Sequence, residues 1–113
     1  MEQEMGQNTV TVREARQRHR FEVLVDDEVV GFAVYHEEDG RVALPHTEVA
    51  PAHQGHGLAT RLVRATLDAV RERDQMVLPY CPFVSAFIAG NPYYLDLVPD
   101  SERSTFGLAT VPD

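Results

Sequence analysis

The tightest constraint on this 113-residue chain is the stretch from His46 to Ala59, HTEVAPAHQGHGLA. Ahead of it, Arg41 to Val49 has the make-up of a strand; behind it, Leu58 to Arg73 has the period of a helix. Between the two the chain passes through Gln54-Gly55-His56-Gly57-Leu58-Ala59, a Q-x-x-G-x-A pattern whose glycines let a backbone curl closely around an anionic group. Such a turn leaves the first N–H groups of the helix without partners and sets the positive end of the helix dipole beside them. A pyrophosphate would satisfy both. The loop holds no lysine and matches neither G-x-x-x-x-G-K-[ST] nor G-x-G-x-x-G, so the P-loop and dinucleotide fingerprints are not met. Taken alone, the six residues fit an ordinary strand-to-helix turn tightened by glycines equally well.

The flanking pattern builds a sheet around this loop. Phe21, Val23 and Val25 alternate with Glu22 and Leu24, Asp26-Asp27 punctuates, and Val29 to Tyr35 is rich in β formers, which predicts a hairpin. Glu37-Glu38-Asp39-Gly40 turns the chain again into Arg41 to Val49, giving a three-strand antiparallel meander. Pro45 cannot donate to a ladder and predicts an edge or a bulge within the third strand. Ala59, Leu62, Val63, Thr66, Leu67 and Val70 then form one apolar helical stripe. Met76-Val77-Leu78, closed by Pro79, reads as a short strand; strand, crossover helix and strand set it parallel to the strand before the loop. Pro82 opens a second helix over Phe83 to Ala89, and Gly90-Asn91-Pro92 stops it. The expected fold class is α/β, or α+β by strict sheet class: a mixed, mostly antiparallel sheet with one parallel pair and flanking helices. Residues 1–12 are expected to be a flexible arm, 13–98 the domain, and 99–113 a tail without a clear period.

A chain this long buries roughly two-thirds of its unfolded surface, enough for a core without staples. Its net charge of −8 argues against a nucleic-acid partner, which calls for a basic surface. The same charge suits a cationic acceptor such as an amine or a basic peptide, although solubility alone accounts for it. A single cysteine, Cys81, cannot form an internal disulfide. No apolar run approaches the roughly 20 residues of a membrane span, and MEQEMGQNTV is no signal peptide. The expectation is a cytoplasmic protein with no membrane partner, a monomer or weak dimer.

Ligands in α/β sheets bind outside the carboxyl ends of parallel strands. That edge carries His46, Glu48, the Gln54 to Ala59 loop and Cys81. His46 and Glu48 are two apart and share a face. Anchoring a phosphate-bearing thioester at the helix would suit acyl transfer: Glu48, or a water, takes a proton from an incoming amine, and Cys81 lies where the thioester carbonyl would point. The plainer alternatives stand beside these. Glu48 reads equally as a solvated strand-end carboxylate, and Cys81 as a small buried hydrophobe whose place before a helix start would favour a thiolate. His46, His53 and His56 lack a recognised ligand spacing, so no metal is expected. Tyr93-Tyr94 reads as packing.

The order of these parts resembles the GNAT superfamily of acyl-CoA-dependent N-acetyltransferases. Gln54, Gly57 and Ala59 match its Q/R-x-x-G-x-G/A signature in the expected strand-loop-helix setting. More narrowly, the chain is similar to a small single-domain GNAT-like subgroup with H-T-E-V before the loop and C-P-F-V after the next strand, here His46-Thr47-Glu48-Val49 and Cys81-Pro82-Phe83-Val84, followed by Asn91-Pro92 and Tyr94. The resemblance spans about residues 13–98. It implies a minimal GNAT fold whose two parallel strands splay apart to admit a pantetheine arm, with acetyl-CoA as co-substrate. It also implies Cys81 as the catalytic residue. With the reading of the residues above, the candidate site is Cys81, Glu48 and His46 for catalysis and Val49, Gln54, Gly55, His56, Gly57, Leu58, Ala59 and Thr60 for binding the co-substrate. Asn91 stands where the subgroup usually carries His, and Phe87 where Tyr is common, so a proton relay through those positions is not implied. The helical region that shapes the acceptor pocket of larger GNAT enzymes is mostly missing, which implies an open acceptor site or one completed by a partner. Two further readings keep the loop: a non-catalytic acyl-CoA-binding or interaction module, and a cysteine thioesterase pairing Cys81 with His46.

Overall fold

The computed structural model describes residues 9–108. Five strands form one sheet in sequence order: β1 (Val10–Ala15), β2 (Arg20–Val25), β3 (Glu28–Glu38), β4 (Arg41–Val49) and β5 (Met76–Leu78). The first four are antiparallel neighbours and β5 lies parallel to β4. Two α-helices follow the crossover: α1 (Leu58–Glu72) joins β4 to β5, and α2 (Pro82–Gly90) follows β5. The mixed sheet with one parallel pair is the one expected. The meander has four strands, not three, because Val10 to Ala15 pair with Val25 to Arg20; Val10 to Val12 thus belong to the sheet and not to a flexible arm. Residues 1–8 and 109–113 of the expected arm and tail lie outside the described residues.

The β2–β3 and β3–β4 hairpins each turn on two residues in the left-handed region, Asp26 and Asp27 in the one and Asp39 and Gly40 in the other. Turns of that hand match the twist of the strands they join, and Asp and Gly tolerate them best. Pro45 falls at a register shift. Val34 pairs with His46 and His36 with Ala43, so Leu44 and Pro45 both stand opposite Tyr35, and the missing N–H is absorbed in a bulge.

One face of the sheet packs on α1. Phe21, Val23, Ala33, Tyr35, Val42 and Leu44 join the helix stripe of Leu58, Leu62, Val63, Leu67 and Val70 in a single core. Leu62, Val63 and Leu67 are buried completely or nearly so, and each contributes about 1.5–3 kcal/mol by that burial. The stretch after α2 closes the core: Tyr94 donates to Asp68 at 2.7 Å, and Arg71 binds Asp96 and the carbonyl of Tyr93, strapping the segment onto α1. Tyr94 is packing, whereas Tyr93 is largely exposed. Val98, Arg103 and Leu108, from a stretch with no readable period, are also buried. No helix of the described residues is long and apolar enough to cross a membrane.

Glu22, which alternates in β2 with the core residues Phe21 and Val23, is itself completely buried. Arg13, Arg20 and Arg18 hold its carboxylate at 2.9, 2.8 and 3.2 Å. Burial pushes that carboxyl up, but the three hydrogen bonds outweigh it and keep it below the usual carboxylate range. On β1, opposite Phe21, Glu14 is lowered first by its bond to Arg73, against burial, and also accepts from Tyr35. Asp96 is lowered by Arg71. A carboxyl that binds its proton less readily when folded contributes stability above its unfolded pKa, and that stability is lost as pH falls through the folded value. The fold should therefore weaken progressively below about pH 4.5. Glu22→Gln should cost about 1–3 kcal/mol at neutral pH, because a buried acceptor loses its charge while the arginines can turn to water, and should flatten the acid limb of a melting-temperature profile between pH 3 and pH 7.

Candidate functional site

The parallel pairing of β4 and β5 is short. Arg41, Val42 and Ala43 match Met76, Val77 and Leu78, and the last link is the Cys81 N–H bonded to the Leu44 carbonyl at 2.8 Å. Beyond the Pro45 bulge, His46 to Val49 pair with β3 on one side and have no strand on the other among the described residues. The strands part there. In the gap lies a cavity of about 340 Å³ bounded by Thr47 to Val49, the Gln54–Gly57 loop, the first turn of α1 and Phe83.

The loop is fixed from within. Gln54 donates from its side chain to the Val49 carbonyl at 3.0 Å, clipping the turn to the end of β4. Gly55 and Gly57 have φ of 83° and 75°, and a Cβ on either would meet no protein atom within 4 Å. Backbone conformation and free space above the loop, not packing, are what these glycines serve. Gly57 caps α1, and its carbonyl accepts from Arg61 N–H at 3.1 Å. Among the described residues nothing accepts from the N–H groups of Leu58, Ala59 and Thr60, and no side chain caps the helix. Three unpaired donors and the dipole of a 15-residue helix therefore open on the cavity. Thr47, which lines the same space, has a buried Oγ1 without a partner among the described residues. The cavity thus offers an anion site at one end and an orphaned hydroxyl along its wall.

A family model described as GCN5-related N-acetyl-transferase matches residues 20–97. The chain belongs to the GCN5-related N-acetyltransferases. It is 33% identical over 85 residues to Protein NATD1 of Mus musculus, covering 74% of this chain and 77% of that protein. A GCN5-like putative N-acetyltransferase from Staphylococcus aureus shares its fold at a TM-score of 0.61 with 18% identity, over 84% of this chain and 91% of the other. A GNAT family acetyltransferase from Brucella melitensis, solved in complex with acetyl-CoA, does so at 0.50 with 23% identity, over 65% and 55%.

In this GCN5-related N-acetyltransferase, Val49, Gln54, Gly55, Gly57, Leu58, Ala59 and Thr60 all line the cavity, and His56 does not. Glu48 lines it too. His46 stands beside Glu48, with Nε2 3.0 Å from Oε1, both side chains more than half exposed. Gly31 lets β3 lie close behind them, since a Cβ there would sit 2.7 Å from the Glu48 carbonyl. Cys81 is 5% exposed, packed in the core as the residue before α2, and is not among the cavity's walls. Asn91 donates to the Phe87 carbonyl at 2.8 Å and so ties off α2. Thr47, His53 and Phe83 line the cavity without having been assigned to it from the sequence. Of these, Thr47 and Phe83 carried a signal, their places inside H-T-E-V and C-P-F-V; His53 arrives through the fold of the loop.

Proposed function

We propose that this chain is an acetyl-CoA-dependent N-acetyltransferase that moves an acetyl group to an amine. The observation that carries the reading is the single cavity in which the unpaired N-terminus of α1 meets the unpaired half of β4. The donors of Leu58, Ala59 and Thr60, with the Gly55 and Gly57 backbone, would take the pyrophosphate, and Thr47 would meet a polar group of the arm. Bound acetyl-CoA supplies an activated thioester. The amine nitrogen attacks its carbonyl carbon, the C–N bond forms, the C–S bond breaks, and the thiolate leaves as CoA. The amine's proton goes to Glu48 directly or through one water. His46, by holding one Glu48 oxygen, orients the other. The relative solved with acetyl-CoA supports the choice of co-substrate. Calorimetry with acetyl-CoA, followed by CoA release on adding amines, tests the reading: binding without release would leave a silent binding module, and no binding would sink it.

Transfer proceeds directly and not through the cysteine. Cys81 is buried outside the cavity's walls, and exchanging one thioester for another gains little. Intact mass after mixing with acetyl-CoA should show no acetyl adduct that is lost in Cys81→Ser. An adduct discharged by amines would restore the cysteine route, and CoA release by hydrolysis alone would favour a thioesterase.

A further inference from the structure

We propose that the amine acceptor carries a carboxylate near its amine, and that Arg20, laid on Phe32, binds that carboxylate on the open face of the sheet. The inference rests on the acetyl-transfer reading of Glu48 and names the acceptor class.

α1 takes the Phe21, Val23 and Ala33 face of β2 and β3. The alternate residues point the other way, and register places them in rows. Arg13 pairs with Glu22, Glu22 with Phe32 and Phe32 with Glu48; in the next row Arg20 pairs with Val34 and Val34 with His46. Side chains of such pairs share a face. Arg20 Cζ lies 4.4 Å from the Phe32 ring centroid, and the His46 ring lies 6.0 Å from the same centroid, tilted 56° to it. A second cavity, of about 210 Å³, is lined by Arg20, Phe32 and Glu48 together. Glu48 is therefore the wall shared by this cavity and the one at the α1 N-terminus. A base on that wall has a place for the thioester on one side and for the amine on the other.

Arg20 is held for recognition. Its Nε donates to Glu22 at 2.8 Å, which fixes the plane of the guanidinium, and among the described residues neither terminal nitrogen has an acceptor. A planar fork with two free donors is matched to a carboxylate. Three arginines share the one carboxylate of Glu22, so the cluster keeps positive charge although the whole chain is at −8. The local field at Glu48 thus favours an acceptor with an anionic group, where the global charge suits a cationic one. Strands β2 and β4 are about 10 Å apart, two strand spacings, and Arg20 leans over Phe32 to shorten that span. An amine and a carboxylate a few atoms apart, as in an amino acid, would bridge it.

The test uses the full chain and titrates common amino acids, each beside its carboxamide and its decarboxylated amine, by backbone amide chemical shifts without acetyl-CoA. The free acids should perturb Arg20, Phe32 and Glu48 and the other two forms should not. In turnover, kcat/KM for the acids should exceed that for the carboxamides by about 10-fold to 100-fold, the worth of a charge-assisted pair. Arg20→Gln should erase the difference mainly through KM, with acetyl-CoA affinity unchanged, and Arg20→Lys should restore part of it. Equal binding of acids and carboxamides by the wild-type chain would overturn the proposal even if Arg20→Gln fails to fold. Selective binding without CoA release under any acceptor would leave the carboxylate site standing and sink the transfer reading instead.

Discussion

Glu48→Gln should lower kcat for acetyl transfer by about 10²-fold or more while acetyl-CoA binds as it does to the wild type. The substitution keeps shape and one hydrogen-bond acceptor but cannot take a proton. Its surroundings change little, because the side chain is 59% exposed and its neighbour His46 can still donate to the amide oxygen. The loss should fall on kcat and kcat/KM alike, since a base acts on the amine only as the new bond forms. A second signature separates the base from a merely structural role: the limb of the pH-rate profile that reports the base should vanish in the variant. An unchanged profile would assign the proton to a water chain, and a raised Kd for acetyl-CoA would mean that Glu48 holds the donor and not the acceptor.

What could be read ahead of the structure follows from how local each signal is. The β4, α1, β5 and α2 segments announce themselves through apolar period, proline and glycine, because each buries one face against a neighbour close in sequence. β1 does not. It is an edge strand with one partner, so VTVREA needs few apolar residues, and its charged end is used to bind Arg73 through Glu14. The burial of Glu22 has no local signal because its three partners lie on the turn before β2 and on β1 as well as on its own strand. The segment around Val98 to Leu108 has no period to read, since it is held by single contacts such as Arg103 Nε to the Val98 carbonyl and the Leu108 N–H to Arg103. In the site, the glycine loop was legible and the company of Glu48 was not. Arg20 reaches it across two strand pairings, and the bulges at Val23/Leu24 and Val34/His36 decide which residues share a row. No pattern within a short window contains that information.

The loop itself supports a test in which strain and obstruction can be told apart. Gly57→Val should reduce acetyl-CoA affinity by roughly 10²-fold or more, because at least two charge-assisted hydrogen bonds to the pyrophosphate are lost. Two effects act at that position. The φ of 75° is costly for a residue with a Cβ, by about 1–2 kcal/mol and more when branched, and the added methyl groups stand in space that no protein atom occupies. Gly40 separates them. It has φ of 76°, a Cβ there would likewise meet nothing within 4 Å, and it sits in the β3–β4 turn at the opposite end of β4 from the loop. Gly40→Val should therefore lower the melting temperature comparably and leave calorimetric binding of acetyl-CoA intact. If both variants lose affinity in proportion to their loss of stability, the glycines serve the backbone alone and the cradle is not where the phosphates sit. If Gly57→Val alone loses it, the added side chain obstructs the approach of the phosphates to the unpaired donors of Leu58, Ala59 and Thr60, since it stands in space that the protein leaves open.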